Sequence, residues 1–207
     1  MKLVEDQKGF KTIHLIINGD GTFPDKLILE KICEKYNGSD KIILYPRTGF
    51  KKQTGLSALN SIKTLVDRGY YKFIFIVDGE HIEEDPKSEI KTKLGEISIN
   101  SEEEIIPLND AFLMKCSYGS HSLFLYCIIS GPDTCIEQDV VKFLEIKLNR
   151  RIPIPENKNP KDLKKIIEQI ANKKELKRLL KESGRRKLEE AFPNICAVLK
   201  EVENDFE

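Results

Sequence analysis

The chain has 207 residues, 34 Lys plus Arg against 34 Asp plus Glu, and 40% hydrophobic residues. That is enough apolar material for one large core. Zero net charge argues against a dedicated nucleic-acid coat protein but leaves room for a local basic patch. No apolar run approaches the ~18 residues of a membrane span, and the polar residues 1–11 do not read as a signal peptide. Cys33, Cys116, Cys127, Cys135 and Cys196 are an odd set without CxxC spacing. A soluble, reduced, cytoplasmic protein without disulfides or membrane contact is therefore expected.

In chain order, TIHLII (residues 12–17) reads as a strand ending in Asn18-Gly19-Asp20-Gly21-Thr22. Thr22 can cap the next helix and Pro24 suits its first turn. Leu27, Ile28, Ile32, Cys33 and Tyr36 form its inner face before Asn37-Gly38 stops it. Gly19 and Gly21 would aim backbone N–H groups at an anion or leave room for a metal-bound phosphate, although many tight turns share that pattern. KIILY (residues 41–45) is a second strand, and the loop after it carries Arg47, Lys51 and Lys52, a phosphate clamp or simply surface cations. Leu56, Leu59, Ile62, Leu65 and Val66 then give a helix that Gly69 ends.

Next comes Phe73-Ile74-Phe75-Ile76-Val77, a β-branched and aromatic run with no polar face, as in a parallel strand covered on both sides. It ends abruptly in Asp78-Gly79-Glu80-His81. Ligands of open α/β sheets bind beyond the carboxyl ends of the strands, and two carboxylates separated by one glycine can both face a divalent cation. An acidic, irregular stretch follows, with a short helix over 87–94, a short strand over 97–99 and Glu102-Glu103-Glu104 as solvated surface. Residues 111–116 and 122–130 form a hairpin about Tyr118-Gly119-Ser120-His121, which sets Cys116 opposite Leu123 and away from Cys127. After Ser130-Gly131-Pro132-Asp133 a helix begins near Cys135, with Glu137 and Asp139 in its first turn.

Residues 152–155 (IPIP) are an extended connector to a charged helical region. One helix opens at Pro160 and Asp162, a second spans 175–182, and a third follows Gly184 and is kinked or divided by Pro193. Their apolar faces are too narrow for independent life, so residues 150–207 are expected as a C-terminal helical extension packed on an α/β domain of residues 11–149. Lys173, Lys174, Lys177, Arg178, Arg185, Arg186 and Lys187 make one side basic, either a nucleic-acid contact or a solvated face.

This order of parts resembles a Toprim (topoisomerase-primase) domain over residues 11–149. It is similar to small stand-alone Toprim-like proteins and to the Toprim parts of overcoming-lysogenization-defect nucleases. The resemblance implies an α/β fold with a mainly parallel sheet flanked by helices, here with an added β-hairpin. It also implies Mg²⁺, or Mn²⁺, gathered for phosphodiester chemistry on nucleic acid. Asp78 matches the first acid of the family's Asp-x-Asp, and Glu80 stands where the second would be. Asn18-Gly19 falls where the family has Glu-Gly, so the first acid is missing unless Asp20 supplies it from the same turn. Glu137 offers a further carboxylate, or is an ordinary helix N-terminal acid. Two readings follow: a metal-dependent, nuclease-like enzyme using Asp20, Asp78 and Glu80, or a catalytically degenerate module that binds nucleic acid, nucleotide or a protein.

Overall fold

The run from Phe73 to Val77 has no polar side to offer water, and the chain buries both of its faces. The computed structural model describes residues 1–5, 13–18, 24–36, 42–45, 54–131, 135–156 and 159–204. In it this run lies in β4 (Lys72–Asp78), at the middle of the seven strands of the sheet that fall among the described residues. The others are β1 (Lys2–Val4), β2 (Ile13–Asn18), β3 (Ile42–Leu44), β5 (Asn100–Leu108), β6 (Ala111–Tyr118) and β7 (His121–Ser130). Their order is β1-β3-β2-β4-β7-β6-β5. The pairs from β1 through to β7 are parallel, whereas β7-β6 and β6-β5 are antiparallel.

Alternation along β4 divides the core in two. Ile74 and Ile76 face α1 (Asp25–Cys33), α4 (Ile136–Leu148), α5 (Pro160–Ile170), α6 (Lys173–Glu182), α7 (Arg185–Ala191) and α8 (Pro193–Asn204). Phe73, Phe75 and Val77 face a 3-10 turn (Gly55–Ser61), α2 (Ile62–Val66) and α3 (Pro86–Glu96). The sheet is thus sandwiched between two helical layers, the α/β arrangement its parallel strands require. No helix among the described residues is long and apolar enough to cross a membrane.

Local chemistry sets the element boundaries. The Asp85 carboxylate accepts from Ser88 N at 2.9 Å and Pro86 opens α3, while Asn159 and Asn172 cap α5 and α6 through Lys161 N (2.9 Å) and Glu175 N (3.0 Å). The last helical stretch is divided at Pro193, which starts α8. The helix expected from Leu56 begins instead as a 3-10 turn. There the hydroxyls of Ser57 and Ser61 bond the carbonyls of Thr54 (2.6 Å) and Ala58 (2.7 Å), three residues back, in competition with α-helical pairing.

Two strands depart from the sequence reading. β1 is only three residues long, too short to show a period. β5 takes in the Glu102 to Glu104 run that reads as plain surface. It is the outermost strand, so Glu102 and Glu104 can face water while Ile99 packs inward just before it. Its pairing with β6 shifts between Ser101 and Ile105, and Pro107 is tolerated there near the end of an edge strand. The β6–β7 hairpin follows the expected register, with Tyr118 opposite His121 and Cys116 opposite Leu123. Gly119 supplies the positive φ of +58° that its two-residue turn demands.

Candidate site at the carboxyl rim

The chain leaves β2 for β3 on one side and returns past it to β4 on the other, with α1 on one face and α2 on the opposite face. The strand order therefore reverses between β2 and β4, and such a switch point opens a crevice beyond their carboxyl ends. Asn18, the last residue of β2, pairs with Ile76, and Asp78 at the end of β4 pairs with Ser130 at the end of β7. The ends of β2, β4 and β7 thus share one rim, and Asp78 stands in it.

Asp78 is half-buried, and its Oδ1 accepts a hydrogen bond of 3.1 Å from Ile136 N. That amide is the first of α4, so the helix dipole favours the carboxylate and ties β4 to the start of α4. Glu80 lies in a single 3-10 turn (Gly79–His81) and is exposed. The imidazole of His81 rests against the backbone of Gly55: a Cβ added there would lie 3.0 Å from its Cγ, at a φ of +56° that glycine alone takes easily.

Glu137 belongs to a different arrangement. It is 3% exposed, and its Oε1 is 3.1 Å from Lys164 Nζ on α5. Desolvation would lower the Lys164 pKa, but the bond and charge of Glu137, with help from Asp25 at the start of α1, raise it. Asp78, Glu80 and Glu137 therefore do not converge as the expected metal set; among the described residues no three His, Cys, Asp or Glu side chains form a group that could hold a metal ion. Glu137 serves instead to pin α5 over the starts of α1 and α4. Asp20, Gly19, Gly21, Arg47, Lys51 and Lys52 lie outside the described residues.

The acidic stretch after β4 is partly spent on structure. Asp85 caps α3, and the Glu89 carboxylate accepts from the backbone N–H groups of Glu83 and Glu84. Asp78 closes β4 and Glu80 follows it in the next turn, and these are the acids of this stretch nearest the strand end. Hard carboxylate oxygens suit Mg²⁺, which is commonly held by one or two carboxylates with water and substrate phosphate completing its shell. The donor chemistry of the rim fits that ion.

Four further residues near the rim were not picked out as site residues from the sequence. Gly131 has φ +53°, and its N–H donates to the Asp139 carboxylate at 3.1 Å. Burial pushes the Asp139 carboxyl up to about 6, against the opposing pull of that hydrogen bond and of Lys142. Ser130 is 1% exposed, and its Oγ has no hydrogen-bond partner among the described residues. Asn194 at the start of α8 donates from Nδ2 to Ile129 O at 2.9 Å, and its buried Oδ1 likewise has no partner among them. The one sequence signal was a serine closing a long apolar strand directly before Gly-Pro.

Comparison with known protein families, with characterised proteins and with solved structures returns no match for this chain.

Proposed function

We propose that the chain is a Toprim-like protein that binds Mg²⁺ through Asp78 and Glu80 and cleaves a phosphodiester of a nucleic acid. The observation that carries this reading is the placement of Asp78, two residues before Glu80, at the point where the strand order of a parallel sheet reverses. When bound, the ion would supply Lewis-acid polarisation of a phosphate and charge neutralisation of the leaving oxygen. The chain's own part is to hold the two carboxylates, with Asp78 fixed by Ile136 N. The cations of α6 and α7 would track the backbone of the nucleic acid. Arg178 pairs with Glu175 and Glu182, and Arg185 with Glu189 and Glu203. Lys174, Lys177, Arg186 and Lys187 are exposed and carry that role.

Two observations favour a second reading, a catalytically silent module that binds nucleic acid, nucleotide or a protein. Asn18 occupies the position of the family's first glutamate and can neither accept nor give a proton in the useful pH range. The described residues also bring no third acid to Asp78 and Glu80. Titration with Mg²⁺ and Mn²⁺, followed by incubation with single- and double-stranded DNA and RNA, separates the two. The enzymatic reading expects metal uptake and cleavage, both abolished by Asp78→Ala. Uptake without turnover would put the binding module in its place, and loss of cleavage in Asp20→Ala would show the first turn supplying the missing acid.

A further inference from the structure

Of the three large apolar side chains left exposed among the described residues, Tyr71 is the aromatic one, 37% exposed just before β4 begins. Its ring stacks on that of His121, also exposed, which opens the neighbouring strand β7; the centroids are 5.0 Å apart and the planes 23° from parallel. The backbone ties the two strands together here, since Phe124 N donates to Tyr71 O at 2.9 Å. Alternation puts Tyr71 on the side of Phe73 and His121 on the side of Leu123, both members of the cluster that packs on α2. Tyr118, paired with His121, packs against the same cluster. The space around the pair is open: a Cβ built at Gly69, two residues before Tyr71, or at Gly119, two before His121, meets no atom within 4 Å. The surround is cationic. Lys63 Nζ lies 5.3 Å from the centroid of the Tyr118 ring and Lys72 Nζ 5.8 Å from that of Phe124, while Arg68 and a single acid, Asp67, share the exposed turn that leads to Tyr71. The acids of β5 stand beyond β6, and Glu104 pairs there with Lys115 at 3.3 Å.

We propose that this edge binds a single strand of nucleic acid, a base stacking on the Tyr71 and His121 pair while the phosphates beside it lie against Lys63, Arg68 and Lys72. Exposed rings interleaved with cations suit an unpaired strand, because every base has a π-face and every linkage a negative charge. The sugar is immaterial to such a contact. A duplex keeps its base faces stacked inside and cannot use the rings, and an acidic peptide would use the cations alone. This edge lies at the amino end of β4 and Asp78 at its carboxyl end, on the order of 20 Å away. The inference therefore does not rest on the phosphodiester reading.

The test follows the fluorescence anisotropy of short fluorescein-labelled oligo(dT) and oligo(U) in EDTA, which removes metal-dependent binding at the rim, with thermal melting of each variant alongside. Wild type should bind both strands in preference to a duplex, with an affinity that falls as salt rises. Tyr71→Ala should raise Kd roughly ten-fold, the effect of losing one base stack, and His121→Ala should weaken binding as well. Tyr71→Trp, which keeps a ring face, should bind at least as tightly as wild type. Unchanged Kd in Tyr71→Ala and His121→Ala overturns the inference, whatever their melting temperatures, and makes the pair a packing contact of the hairpin. A labelled polyglutamate peptide that binds as tightly, with the same loss in Tyr71→Ala, overturns it in favour of an acidic protein partner. A wild type that binds neither strand in EDTA also overturns it, while cleavage in MgCl₂ would leave the phosphodiester reading standing.

Discussion

At residue 131 the backbone admits only glycine, because φ is +53° and a Cβ would fall 1.9 Å from Cys135 O. Gly131→Ala should therefore destabilise the protein by about 2–4 kcal/mol, read from urea unfolding, since the clash is with backbone rather than with a flexible side chain. Asp139, which grips the same residue, gives a pH signature. Its carboxyl titrates near 3.8 in the unfolded chain and at about 6 in the fold. Between those values the folded state holds the extra proton, so stability falls as pH rises through the window, and the penalty is complete above it. Asp139→Asn, which keeps an acceptor for Gly131 N, should match wild type near pH 4 and exceed it by about 2–3 kcal/mol at about pH 7 in urea titrations. Neither effect was legible in the sequence. Asp78 and Glu80 stood out because they end an apolar run, but Ser130, Asp139 and Asn194 acquire their environment only when β7, α4 and α8 meet.

Elements whose signals are local were the legible ones. The Tyr118 to His121 turn set the hairpin register, Pro160 with Asp162 announced the start of α5, and Pro193 marked the break between α7 and α8. β5 was missed because an edge strand has one side in water, so its acids look like loop, and the register shift breaks its alternation. The α5 contact was invisible for another reason: the partner of Glu137 is Lys164, on a helix that only the folded chain brings near. Lys164→Ala would leave the Glu137 carboxylate buried without its cation. The expected loss is about 1–3 kcal/mol, below the range for a fully buried pair because the lysine is partly in water. Faster amide exchange in α5 than in α4 of that variant would locate the loss at this tie; uniform change across both helices would count against it.

Across the whole molecule one apolar cluster runs from α1 through the sheet into α8, so the C-terminal helices close the face formed by Ala111, Leu113, Tyr126 and Ile128. A chain ending at Asn149 should accordingly lose cooperative unfolding and bind a hydrophobic dye, whereas the full chain melts in one transition; a sharp melt of the shorter chain would refute this. The sheet's outer flanks carry a different consequence. On one side the border strand is three residues long, and on the other it presents Glu102 and Glu104 beside an irregular ladder and a proline. Among the described strands neither border offers a second copy a straight, neutral row of unpaired amides to dock on, which disfavours growth of the sheet by strand addition between molecules at either of them. Replacing those two glutamates with valine would hand the molecule a template for fibre formation without touching its core.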